Sequence, residues 1–72
     1  MNTPMNTSIV LNGQPHAVPC PISIPDLLQS LNLHPNSIVI EVNTKTLFKH
    51  KFDETMLQNG DQVEILQVVA GG

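Results

Sequence analysis

Few side chains in this sequence could carry out chemistry, and they are scattered. Cys20 lies in VPCPIS between two prolines, three residues before the expected cap of a helix. A nucleophilic thiol needs a nearby histidine or a helix N-terminus to favour its thiolate. Cys20 meets the second condition only mildly, and a small residue in a rigid extended connection suits the burial habit of free cysteine better. His16, His34 and His50 are far apart and lack the close pairing of a zinc motif. No metal site is expected. His50, inside KHK, reads as part of a solvated strand face. Asp53 and Glu54 open a turn, and paired acid–base work there would need a cleft that 72 residues hardly build. Catalysis within this chain is not expected.

One group remains, the carboxylate of Gly72 at the end of LQVVAGG. Glycine makes up about 7% of residues, so two in the last two places arise by chance roughly once in two hundred, and the pair is a signal. A carboxylate is a poor electrophile and must be activated, typically as an acyl-adenylate, before sulfur or nitrogen attacks it. An activating site has to reach it through a narrow channel. Gly71 and Gly72 have no Cβ, so their backbone passes close to protein walls and takes any φ. The same freedom lets a short tether present one carboxylate to several sites. Val68, Val69 and Ala70 are small and apolar, which suits sliding along a partner's groove.

The preceding elements must position that tail. IVLNGQPHAV reads as a hairpin about Asn12-Gly13, the preferred pair where both central residues take positive φ. Its first arm, Ile9-Val10-Leu11, is continuously apolar and suits a covered strand. Its second arm holds Pro15 and stops at Pro19, so it belongs at a sheet edge. SIPDLLQSLNL is the only good helix. Ser23 is its expected cap, Asp26 follows three residues on, Pro25 is tolerated in the first turn, and Pro35 closes the segment. Ile24, Leu27, Leu28 and Leu31 form its buried stripe. SIVIEVN predicts a strand with Ile38, Ile40 and Val42 inward and Val39 and Glu41 outward. TLFKHKF predicts a shorter strand with Lys49 and Lys51 opposite Phe48, and DETMLQNGD a turn with a single helical turn at most. QVEILQVV is the last strand, with Val63 and Ile65 inward and Glu64 outward.

The order β-β-α-β-β-β, with the two most apolar strands side by side at the centre, predicts an α+β, β-grasp (ubiquitin-like) fold. It has a mixed sheet of four to five strands with one main helix packed on one face. A ferredoxin-like fold needs a second full helix, which DETMLQNGD cannot supply. The chain is expected to be a single domain over 1–72, with 1–6 a flexible N-terminus and 68–72 a flexible C-terminal tail. Met5 is a candidate alternative start.

Composition narrows the partners. Three lysines (Lys45, Lys49, Lys51), no arginine and six carboxylates give a net charge of −3, and Phe48 and Phe52 are the only aromatic residues besides histidine. That set is poor in the arginines and stacking rings that nucleic-acid binding uses, and a mildly acidic domain suits a basic or neutral protein partner. One cysteine permits no internal disulfide and favours a reducing compartment. With no apolar run long enough for a bilayer and no signal-like N-terminus, a cytoplasmic location and no membrane partner are expected.

The hairpin VLNGQ, the helix SIPDLLQSL and the closing GDQVEILQVVAGG together resemble the ThiS-type sulfur carriers of thiamine biosynthesis. The resemblance runs from about Ser8 to Gly72 and is most specific in Gly60-Asp61, the last strand and the terminal Gly-Gly. It implies a protein cosubstrate with no cofactor of its own. The Gly72 carboxylate would be adenylated with ATP by a ubiquitin-activating-type (ThiF-type) adenylyltransferase. It would then become a 1-thioglycine thiocarboxylate, with sulfur from a cysteine desulfurase-derived donor, and pass that sulfur to a ThiG-type thiazole synthase. Gly71 and Gly72 would carry the function, and Val68, Val69 and Ala70 would enter the partner's channel. Leu66 would face outward as a docking contact, although the run LQVV by itself leaves burial open. The stretch NTKTLFKHKF lacks the Val-Pro-Arg type segment common at that point in the family. The small subunit of molybdopterin synthase shares the fold and the tail chemistry, but tends to be longer with prolines before the tail. A lysine-conjugated ubiquitin-like modifier and a binding module with an inert tail are the readings from other classes.

Overall fold

The computed structural model describes residues 7–68. Strands β1 (Ser8–Leu11) and β2 (Gln14–Ala17) form the expected hairpin, with Asn12 at φ 50° and Gly13 at φ 82°. A two-residue strand β3 (Ile22–Ser23) leads into helix α1 (Ile24–Ser30). Then follow β4 (Ile38–Val42), β5 (Lys45–Leu47), β6 (Met56–Leu57) and β7 (Gln62–Gln67). The main sheet runs β2-β1-β7-β4-β5, with β1 parallel to β7 and the other pairs antiparallel. The apolar strands lie at the centre and the proline-bearing β2 at an edge, as the β-grasp reading requires. Among the described residues no helix is long and apolar enough to cross a membrane.

Alternation along the strands decides what the sheet buries. Ile9, Ile38, Ile40, Val63 and Ile65 face α1, which answers with Ile24, Leu27 and Leu28. Side chains of opposite parity stand on the far side of the sheet, where no helix covers them. Among the described residues, no buried side-chain nitrogen or oxygen lacks a partner.

Helix α1 starts as its sequence predicts. Ser23 Oγ accepts the Asp26 N–H at 3.1 Å, and Pro25 occupies the first turn. Its end differs from expectation. Asn32 takes φ 61°, its N–H donates to the Gln29 carbonyl (3.0 Å), and the Leu33 N–H reaches back to Leu28 (2.9 Å). This is a Schellman closure with asparagine in the left-handed position where glycine is usual. The helix therefore stops at Ser30, and Pro35 instead opens a 3-10 turn, Pro35–Ser37.

TLFKHKF does not form one strand. β5 covers only Lys45–Leu47, and Lys49–Glu54 coils into 3-10 turns. The reason lies in parity. Leu47 pairs with Ile40 on the core side, so an uninterrupted strand would put both Phe48 and Phe52 on the open face. Turning after Phe48 carries Phe52 into the core, where it is 5% exposed. The helical turn expected within DETMLQNGD accordingly lies earlier. Met56 and Leu57 pair with Ser23 and Ile22 in a second, two-stranded sheet that the pattern did not predict.

The β4–β5 turn is also unexpected in its residues. Asn43 and Thr44 have φ 51° and 72°, a left-handed conformation that a β-branched residue adopts only under strain. Glycine relieves that clash and completes the favoured Asn-Gly pair. Thr44→Gly is expected to raise unfolding stability by about 0.5–1 kcal/mol, read as an increase in the midpoint of thermal or urea unfolding. A lower midpoint would show that the threonine is not strained.

Candidate functional site

The tail is delivered by β7, and three polar side chains fix where β7 runs. The turn before it closes with the Asp61 N–H donating to the Gln58 carbonyl (3.0 Å) and Gly60 at φ 89°, as a type II turn requires. The Asp61 carboxylate accepts the Gln58 N–H (2.8 Å) and the Asn43 amide (3.2 Å). Asn43 in turn accepts the Gln62 N–H at 2.9 Å through its side chain. On the other flank the parallel ladder from β1 ends at the Asn12 N–H, which donates to Val63 (2.9 Å). The Asn12 side chain then continues the ladder: Oδ1 accepts the Ile65 N–H (2.8 Å) and Nδ2 donates to the Ile65 carbonyl (3.2 Å). The asparagine thus stands in for one more strand residue. Pattern reading assigned it only to the turn.

At its far end β7 is held by the Val68 N–H, which donates to the Ser37 carbonyl at 2.8 Å. Backbone pairing therefore reaches Val68, one residue into the expected tail. Val69, Ala70, Gly71 and Gly72 lie outside the described residues.

Around Val68 the open face of the sheet is apolar. Leu66 is 67% exposed, which resolves the ambiguity of LQVV in favour of the outward position. Val39 is its direct partner on β4. Phe48 follows Leu47 in extended conformation just past the end of β5, lines one hollow with Val39, and is 62% exposed. Leu66 and Val39 on neighbouring strands and Phe48 just beyond β5 thus form an exposed apolar row beside half-exposed Val68. Four of the five exposed large apolar side chains among the described residues stand here. Val39 was legible from alternation. For Phe48 the pattern gives only a side opposite Lys49 and Lys51 and leaves open which side faces the core; the pairing of Leu47 with Ile40 decides it.

The other candidates do not converge. His16 sits on edge strand β2, exposed His34 caps the 3-10 turn Pro35–Ser37, and exposed His50 lies in the separate Lys49–Glu54 segment. His34 Nδ1 accepts the Asn36 N–H (3.1 Å), and His50 stacks on Phe48 with ring centroids 6.2 Å apart. Cys20 is half-buried against the core, its N–H bonded to Thr7 Oγ1 (3.2 Å). No three His, Cys, Asp or Glu side chains cluster among the described residues in a way that could hold a metal ion.

The ThiS family matches residues 9–72, from the first strand through the Gly-Gly end. This chain belongs to the ThiS family. A thiamine biosynthesis protein (ThiS) from Geobacter metallireducens superposes in its crystal structure with a TM-score of 0.77 at 29% identity, covering 90% of this chain and 99% of that one. The protein ycf40 of Porphyra purpurea is 37% identical over 67 residues, 93% of this chain and 94% of its own length. A thiazole synthase of Magnetococcus marinus is 30% identical over 64 residues, which are 89% of this chain and 20% of that larger protein. The mixed five-stranded sheet with one main helix is the ThiS β-grasp fold.

Because the open-face row supports no core, substitutions there and in the core should separate. Leu66→Ser is expected to leave unfolding stability within about 0.5 kcal/mol, whereas Ile65→Ala, one residue away, should cost about 2–4 kcal/mol. Asn12→Gly keeps the turn conformation but removes both bonds to Ile65, for a loss of about 1–3 kcal/mol. Urea unfolding of the three variants checks all three, and equal losses at Leu66 and Ile65 would contradict the assigned register.

Proposed function

We propose that this chain is a sulfur carrier of thiamine biosynthesis, working as a protein cosubstrate. The observation that carries the reading is the ThiS match, which extends through Gly71 and Gly72 on a β-grasp fold. A carboxylate oxygen of Gly72 attacks the α-phosphorus of ATP at a ThiF-type adenylyltransferase, and pyrophosphate leaves. The terminal sulfur of a cysteine desulfurase-derived persulfide then displaces AMP to give an acyl disulfide. A thiol attacks the donor's inner sulfur, releasing the thiocarboxylate and leaving a disulfide on the donor. The thiocarboxylate sulfur passes to a thiazole synthase for the thiazole ring. The bond-making groups, apart from the carboxylate itself, belong to the partners.

The geometry around Val68 supports this use. Gly72 lies four residues beyond Val68, the last backbone tie, and four extended residues span at most roughly 14 Å. Any enzyme acting on Gly72 must therefore approach the root of the tail closely. The exposed row of Phe48, Val39 and Leu66 lies at that root, and a contiguous apolar patch is a common mark of protein association. The thiazole synthase of Magnetococcus marinus, which includes a stretch similar to this chain, supports the choice of recipient. The thiamine assignment of the ThiS neighbour favours this pathway over the molybdopterin one.

Deleting Gly72 is the direct test. In a reaction reconstituted from the adenylyltransferase, a cysteine desulfurase, ATP, cysteine and thiazole synthase with its substrates, thiazole formation should fall at least about a hundredfold, the scale expected when a reacting group is misplaced. A chain trimmed instead by its first six residues should retain activity. Undiminished thiazole formation without Gly72 would sink the carrier reading and leave a binding module with an inert tail.

A further inference from the structure

The tail leaves the domain beyond a tie that the sheet alone does not supply. The β4–β7 ladder closes at Ile38 and Gln67, and one step further its register sets Ser37 opposite Val68. A complete antiparallel pair there would exchange two bonds. Instead the Val68 N–H donates to the Ser37 carbonyl (2.8 Å), while the Ser37 N–H turns away to the His34 carbonyl (3.0 Å). Ser37 belongs to the 3-10 turn Pro35–Ser37, and His34 is the cap of that turn. Two bonds close the turn and both end on His34, the Ser37 N–H on its carbonyl and the Asn36 N–H on its Nδ1 (3.1 Å). A ring nitrogen that accepts carries no proton, whereas an imidazolium donates from both nitrogens and accepts at neither. Leu33, just before it, packs on the core with its N–H on the Leu28 carbonyl (2.9 Å), so the turn is anchored to the end of α1.

We propose that His34 is a positioning residue for sulfur transfer. Its neutral ring holds the Pro35–Ser37 turn in the shape that ties Val68, and so sets the span of chain between the domain and the Gly72 carboxylate. The proposal rests on the carrier reading above. With the tie in place that span is four residues. Hydrogen-bonded pairs alternate along an antiparallel ladder, so without it the next hold back along β7 is Leu66 on Val39, and the span becomes six. A longer span lowers the effective concentration of the carboxylate at an enzyme docked on the domain. Imidazole is the side chain that changes charge between about pH 5 and 8, so acid removes the Nδ1 acceptor and loosens the tie without touching the core. His34 is exposed, and protons reach it from solvent directly. The charged groups lining the hollow beside it are Lys49 and Asp53, one of each sign, and the α1-side residues Gln29 and Asn32 are uncharged.

Hydrogen exchange of the Val68 amide, corrected for its intrinsic rate at each pH, reads the tie on the chain alone. In the wild type this protection is expected to fall about five- to tenfold between about pH 8 and pH 5.5, the size of one lost hydrogen bond. His34→Ala should show the low value at both pH values. His34→Asn, whose side chain accepts at a helix cap whatever the pH, should keep the high value at both. The Ile65 amide, held by Asn12, should stay equally protected in all three, which separates a local release from general loosening. Thiocarboxylate formation on Gly72 should follow the tie: at about pH 8, His34→Ala lowers kcat about two- to threefold with KM unchanged, and His34→Asn restores it. Val68 protection that His34→Ala does not change, or an acid-induced fall that persists in His34→Asn, would overturn the hold of His34 on the tail. Lost protection with an unchanged kcat would overturn its part in positioning. A wild-type chain that gains no thiocarboxylate where a known carrier does would instead remove the carrier reading, and the exchange data would still decide whether His34 holds Val68.

Discussion

The register of β7 is the constraint on which the rest depends. The strand is flanked by β1 and β4, and its side chains alternate between exposed and buried from Gln62 to Leu66. A slip of one residue would place Glu64 and Leu66 in the core and expose Val63 and Ile65. It would also move the last backbone tie off Val68 and change where the tail leaves the domain. Burial of Val63 at 1% exposure and Ile65 at 9% therefore sets more than stability. It determines which side chains the open face presents.

Hydrophobic alternation alone permits slips of two residues, which keep the same face inward. The polar clamps exclude those. Asn43 and Asp61 fix the entry of β7, and Asn12 grips Ile65 at both its N–H and its carbonyl. Each clamp joins segments distant in sequence: Asn12 and Ile65 are 53 positions apart. A 72-residue domain without disulfides has few ways to fix a central strand so firmly. Side-chain amides that mimic a neighbouring strand are one of them. The Gly60-Asp61 pair, which carries much of the family resemblance, has its structural explanation here, in a turn and a carboxylate that start the strand in register.

Much of this was legible in the sequence because local and global signals agreed. Asn12-Gly13, the Ser23 cap, the stripe on α1 and the alternation of Ile38 to Val42 each specify their element without tertiary help. The misread segments are those where the global fold overrode a local pattern. TLFKHKF alternates like a strand as far as Phe52, but parity would strand that ring in water, so the chain turns. Asn32 ends the helix by taking a conformation more often assigned to glycine, and Thr44 occupies another left-handed position with nothing in its type to announce it. For the candidate site, Val39 and Leu66 followed from alternation and family resemblance, whereas the place of Phe48 depended on the register of β5 against β4.

The account's central claim is that the Gly72 carboxylate carries sulfur. The measurement that tests it most directly is accurate mass of the C-terminal peptide after incubation with ATP, the adenylyltransferase and a sulfur donor. The account predicts an oxygen-to-sulfur exchange of about 16 Da on the peptide ending in Gly72, resolved by accurate mass from methionine oxidation of the same nominal size and reactive toward a thiol-directed alkylating agent. An unmodified C-terminus, under conditions in which the same enzymes convert a known carrier, would contradict it.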